Sequence, residues 1–290
     1  MQSFSPSEAW AETVRLTKEH WLALAGLMLL LFAILGIIGS VFFAGAFATL
    51  FDLSAMSDPA RFEEMMAASS GAVVLGNILF NAVFVAITMA CFRYAATDGA
   101  AGFGDALKFG VVSAVPVLLA MLVIGIVLVI LFFIAALILG VIGFAGIMAS
   151  DGGGGGGALA LGVLTIFLIY PAFIGLGLFM LARFGMAGPL MAAAGSYNPF
   201  SAIGAAWSLS RGHTWRLMAY YFVGYLGILV LMFLAGAVIA IAMQAAEFLL
   251  VLFVPLYLVV LLVQTMFPVA AFRVLDGGRH NAEEMASIFD

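Results

Sequence analysis

Between Ala205 and Leu217 the chain reads AAWSLSRGHTWRL, which gathers two arginines, a histidine, two tryptophans and a glycine in a protein only 9% charged. Residues of these types could serve three kinds of chemistry. His213 beside Arg211 could move a proton, the arginines could form a phosphate-binding patch, or the tryptophans could hold a helix at a lipid interface. Catalysis needs titratable groups that converge. The other histidines, His20 and His280, lie near the ends of apolar runs rather than inside them. The HExxH and GxSxG patterns are missing from the sequence, and no carboxylates cluster at metal-ligand spacing. Glu63 and Glu64 are adjacent, so on a helix they point apart. Cys91 is the single cysteine, which rules out an intrachain disulfide or a paired-thiol metal site. The tract DGGGGGG from Asp151 lacks the GK[ST] ending of a phosphate loop and reads as a linker. We therefore expect no catalytic residue, no metal site and no cofactor.

The elements that carry these residues follow from composition. Hydrophobic residues make up 66% of the chain, mean hydropathy is +1.26, and there are 27 Phe, 33 Gly and 16 Met. A soluble surface needs roughly 25% charged residues, so the expected class is an all-α polytopic membrane protein. About 20 apolar residues cross a bilayer, and six runs qualify: 21–48, 72–92, 112–148, 159–182, 216–243 and 248–271. They form a single membrane domain over 1–290. The third run exceeds one simple crossing, so part of it must tilt, bend or project.

Basic residues set the expected orientation. With the N-terminus cytoplasmic, Arg15, Lys18, Arg93, Lys108, Arg183, Arg211, Arg216, Arg273 and Arg279 fall inside, leaving Arg61 outside. The same inner face carries as many acidic residues as basic ones, which excludes a nucleic-acid partner.

A three-unit internal repeat is suggested by Arg93, Arg183 and Arg273, spaced evenly at the ends of even-numbered runs. Odd-numbered runs are each preceded by a related stretch, beginning at Phe4, Phe103 and Phe200. Ser5-Pro6-Ser7-Glu8 is a capping box with proline at the first helical position. Asn198-Pro199 is a second start signal, and Gly212 should end that helix. These stretches predict cytoplasmic-face amphipathic helices before runs one and five and a weaker one before run three. All four tryptophans fall there, so Trp10, Trp21, Trp207 and Trp215, with Arg211 and Arg216, are the expected interface anchors. Within the runs, Asn77, Asn81, Tyr170, Tyr257 and Gln264 either join helices by interhelical hydrogen bonds or are the candidate lining of a polar cavity. Ion coupling is disfavoured because no run carries a charge at depth. Gly36, Ser40, Ala44 and Ala48 form a small-residue ridge suited to close helix approach.

Arg183-Phe184 and Pro189, followed by Phe200-Ser201-Ala202, Trp207 to Gly212 and Trp215-Arg216-Leu217, resemble the polytopic membrane domain attached to some bacterial glycerophosphodiester phosphodiesterases and its stand-alone relatives. The local match covers about 35 residues and the six-run layout extends it loosely. The resemblance implies a bacterial cell inner membrane and a multi-pass module. The catalytic carboxylates and metal belong to a separate soluble barrel in that family, so the resemblance carries them to no position here. The expected function is non-enzymatic: organising membrane lipids, or a membrane-protein partner or second copy, through the inner-face helices. The alternative is a transporter or channel for a small or lipidic substrate.

Overall fold

In a computed structural model that describes residues 4–44, 59–149, 171–243 and 253–277, the capping signals act as their chemistry dictates. The extended Ser5 accepts a hydrogen bond from the Glu8 N–H at 3.5 Å, and Pro6 takes the first helical position. Helix α1 (Pro6–Ile38) then runs into a π-helical turn at Gly39–Phe43. It is followed by α2 (Pro59–Ala96), α3 (Gly102–Ala149), α4 (171–184) and α5 (Ala187–Ala194). Asn198 accepts from the N–H groups of Phe200 and Ser201 and starts α6 (Pro199–Leu209). Gly212, at φ +87°, stands in the turn before α7 (Thr214–Met243), and α8 (Phe253–Asp276) completes the described chain. No strand occurs among the described residues.

Six helical stretches are long and apolar enough to cross a bilayer: Pro6–Phe43, Ser70–Ala96, Gly102–Ile130, Pro171–Ala194, Thr214–Val238 and Pro255–Asp276. They overlap the six expected runs, of which 45–48, 159–170 and 248–252 lie outside the described residues, and they differ from expectation in two ways. The stretch before run one is not a separate surface helix, because α1 continues unbroken from Pro6. No glycine or proline interrupts it between Trp10 and Leu24, and its buried stripe Ala9, Thr13, Leu16 continues directly into Leu24, Leu27, Met28 and Leu31. The weaker helix expected before run three is likewise the first turns of α3, and Pro116 does not end that helix. Helix α3 has 48 residues, or about 70 Å at 1.5 Å per residue, so it projects well beyond about 30 Å of hydrocarbon. The hexaglycine tract and Tyr170 lie outside the described residues.

Helix α8 is the centre of the bundle: half of its apolar window is buried, against 11% for α7 and 17% for α3. One core cluster joins Leu24, Leu27 and Leu31 of α1, Ile87, Ala90 and Cys91 of α2, and Leu262, Met266 and Ala270 of α8. A second seats Phe4 and Ala9 among Leu217, Tyr220, Tyr221, Phe267 and Phe272. A third packs Val85, Ala86 and Met89 on Phe109, Ala114, Met191 and Ala202. The tightest crossings are made by glycines other than the predicted ridge. A Cβ on Gly110 would stand 2.1 Å from the Ala86 carbonyl oxygen, and one on Gly224 would stand 2.6 Å from the Phe267 ring. Gly36 and Ser40 of the ridge are exposed, and a Cβ on Gly36 would meet nothing within 4 Å. Lipid tails are as apolar as leucine, so helices in a bilayer are joined by close packing and polar ties rather than by hydrophobic exclusion. The polar ties of this protein gather at one end.

Candidate functional site: the polar end of the bundle

The evenly spaced arginines share one structural task. Each sits near the end of a helix and donates to a carbonyl at the C-terminus of another helix, where backbone acceptors have no intrahelical partner. Arg93 of α2 donates through Nη1 to Ala192 O at 2.6 Å and Ala193 O at 3.4 Å, at the end of α5. Arg183 of α4 donates through Nη1 to Trp207 O at 3.4 Å and Ser210 Oγ at 3.5 Å, at the end of α6. Arg273 of α8 donates through Nη2 to Ala96 O at 3.5 Å, at the end of α2. The common role gives the repeat a physical content that spacing alone lacked.

Two of the three arginines are neutralised by carboxylates. Arg93 Nε lies 3.5 Å from Asp105 Oδ2, and its guanidinium stands 5.5 Å from the centre of the Phe109 ring. Arg273, only 5% exposed, meets Asp98 Oδ2 at 2.6 Å and Glu12 Oε1 at 3.1 Å. Arg15 extends this network to Glu12 at 2.7 Å, to Asp98 at 3.4 Å and to Glu19. His20 Nε2 lies 3.4 Å from Asp98, with its ring edge-on to Tyr94. Partial burial raises the Asp98 carboxyl, but the hydrogen bond and charge of Arg273, the hydrogen bond of His20 and the charge of Arg15 outweigh it and hold the group at about 2. Glu19, His20 and Asp98 bring ligand atoms within 4.8 Å of one another. Their acceptors already serve Arg15 and Arg273, so a cation there would compete with two guanidinium groups. Asp98 itself occupies a left-handed turn at φ +51°, within Thr97-Asp98-Gly99.

The segment from Ala205 to Leu217 is a junction. The Arg183 guanidinium lies 4.5 Å from the Trp207 ring and 5.7 Å from Phe179. His213 Nδ1 accepts a long bond from the Phe4 N–H, and Arg216 donates to the Phe4 carbonyl at 3.1 Å. Together they fasten a residue more than two hundred positions earlier in the chain. Trp215 is 81% exposed, Trp21 55% and Trp207 42%, and Arg211 is exposed. Trp10 departs from the expected anchor role. Its ring packs edge-on against Tyr220 at 5.7 Å and Phe267 at 5.3 Å, because the face that would have met lipid meets α7 and α8. The Tyr220 hydroxyl lies between Thr13 Oγ1 at 2.8 Å and Phe267 O at 3.3 Å, a tie that no motif announced.

The candidate cavity residues do not come together among the described residues. Asn77 and Asn81 are exposed and donate back to Val73 O and Asn77 O of their own helix. Tyr257 is 40% exposed and lies edge-on to Phe32 at 6.0 Å, while half-buried Gln264 of α8 lies beside the Tyr225 hydroxyl of α7. A cavity of about 280 Å³ does exist between α2, α3 and the α4–α6 segment. Its walls include Phe84, Met89, Phe92, Val117, Phe184 and Ile203, with Thr88 among its few polar members, and none of the four described candidates, Asn77, Asn81, Tyr257 and Gln264, lines it.

The six spanning-length helices and their tied end define a helical membrane bundle. Neither a family model, nor a curated protein, nor a solved structure matches the chain.

Proposed function

We propose that this chain is a non-enzymatic multi-pass protein of the bacterial inner membrane, with both termini cytoplasmic, that organises lipid or a membrane-protein partner through the polar end of its bundle. One observation carries the reading. Among the described residues, the ionic side chains that the structure pairs are engaged in joining helices: Glu12, Asp98 and Arg273 to each other, Arg93 to α5, and His213 and Arg216 to Phe4. Such a distribution suits a scaffold better than a reaction centre. The nine-to-one basic asymmetry supports the cytoplasmic placement of the polar end. The resemblance of 183–217 to the phosphodiesterase-associated membrane domain supports the same class.

The direct test is purification of the full chain from its native membrane, with identification of what accompanies it. A lipid class enriched over the bulk membrane, or a stoichiometric partner, is the expected result; neither would overturn the reading. The transporter alternative is tested by cysteine substitution at Asn77, Asn81 and Gln264. Uniform protection of the three from a water-soluble thiol reagent eliminates it, and a shared accessible path would displace our proposal.

A further inference from the structure

From the geometry around Arg183 we infer a site for the headgroup of one anionic phospholipid, with its acyl chain lying between α4 and α7; this deepens, and rests on, the proposal that the protein organises lipid. Of the three equivalent arginines, Arg93 and Arg273 have carboxylate partners, while no ion pair involving Arg183 occurs among the described residues. The sequence explains the difference, since no Asp or Glu stands between Asp151 and Glu247. Its Nη1 reaches only two long acceptors, its Nη2 has no protein acceptor among the described residues, and its Nε is enclosed without a partner. Guanidinium remains protonated. Trp207 and Phe179, themselves in edge-to-face contact at 6.1 Å, cover the guanidinium from one side and leave its remaining edge free to bond.

The space it faces has the form of an amphiphile. A groove of about 670 Å³ opens beside Arg183, with Gly212, Thr214 and Trp215 at its polar rim and Gly175, Leu176 and Met218 along its apolar floor. The rim contains the first turn of α7, whose N–H groups and dipole favour an anion. Trp215, almost wholly exposed, supplies the amphipathic ring that belongs at headgroup depth. The floor runs from Phe179 to Gly175 on α4 and faces Met218 of α7, so an acyl chain can lie on it where a free phosphate would leave it empty. Charge complementarity therefore selects an anionic headgroup, and the floor selects a lipid.

The test is native mass spectrometry of the full chain taken from phosphatidylcholine vesicles containing a minority of phosphatidylglycerol. The wild type should retain phosphatidylglycerol above its share of the vesicle. Arg183→Gln should lower that enrichment about fivefold, while Lys108→Gln, which removes an exposed charge elsewhere at the polar end, should leave it unchanged. Arg183 also ties α6, so Gly175→Leu provides a second variant that fills the floor without changing charge; a Cβ there meets nothing within 4 Å. It should lose the lipid while Cys91 stays protected from maleimide, which shows the fold intact. Retention of phosphatidylglycerol by both variants overturns the site. Displacement by millimolar inorganic phosphate, with Gly175→Leu unaffected, overturns the lipid assignment. If the native preparation still carries an enriched lipid or partner after either result, the broader function stands and only this site falls.

Discussion

Replacing Arg273 with glutamine removes the charge that two carboxylates share at the centre of the polar end. Arg273 is 5% exposed and lies 2.6 Å from Asp98 and 3.1 Å from Glu12, so its loss takes from Asp98 its nearest cation and from Glu12 one of its two. Breaking a buried pair from one side destabilises by about 3–5 kcal/mol. Two features lower that figure here. Asp98 is 48% exposed, and Arg15 still reaches both Glu12 and Asp98. A loss of about 2 kcal/mol remains after discounting for water and for the second arginine. At roughly 2–4 °C per kcal/mol for a chain of this order of size, the unfolding midpoint should fall by about 4–8 °C. Cys91 makes the assay direct, because the single thiol of the protein is buried in the core cluster beside α8 and reacts with a fluorogenic maleimide only on unfolding. Asp98→Asn should cost about 1 kcal/mol, and the double variant should lose less than the sum of the singles by about 1 kcal/mol. Additive losses, or a midpoint for Arg273→Gln within a degree of the wild type, would refute the claim that this network ties the bundle.

The same carboxylate sets a pH dependence. Its folded value of about 2 lies below the unfolded value of about 3.9, so its contribution is complete above about pH 4 and fades as pH falls from about 4 to about 2. Wild type and Asp98→Asn should therefore differ in midpoint at pH 6 and converge near pH 2; a constant gap would show that Asp98 acts through packing rather than charge. At the crossing of α2 and α3, Gly110→Ala places a methyl group 2.1 Å from the Ala86 carbonyl and should destabilise by about 1–3 kcal/mol in the same assay. Gly36→Ala, which meets nothing within 4 Å, should change stability by less than about 0.5 kcal/mol, and equal effects of the two would restore the small-residue ridge as the packing surface.

What could be read along the chain was what depends on neighbours along the chain. Ser5, Asn198 and Gly212 mark helix boundaries because capping and left-handed turns are local chemistry, and all three act at the expected places. The six spans were legible for the same reason, since crossing length and hydropathy are properties of a window. The spacing of Arg93, Arg183 and Arg273 was visible, but its meaning was not: the acceptors lie on α5, α6 and α2, and the arginine positions do not encode which helix end comes to which guanidinium. Trp10 illustrates the opposite failure. An indole at helical spacing beside charged residues suits a headgroup layer or an aromatic cluster equally, and the choice was made by Tyr220 and Phe267. The continuity of α1 was hidden likewise, because an apolar stripe over Ala9, Thr13 and Leu16 is the same pattern whether a membrane or a neighbouring helix covers it.

The clasp on Phe4 bears on the order of assembly. Helix α1 leaves the ribosome before α7 and α8, yet His213 and Arg216 hold the Phe4 backbone, Phe267 helps enclose its ring, and Arg273 neutralises Glu12. Until those helices are in place the Phe4 ring lacks its seat, and Glu12 keeps only its pair with Arg15 on the same helix. This end of the bundle therefore closes only when α7 and α8 arrive, so the start of α1 is the last part of the core to be covered although it is made before them.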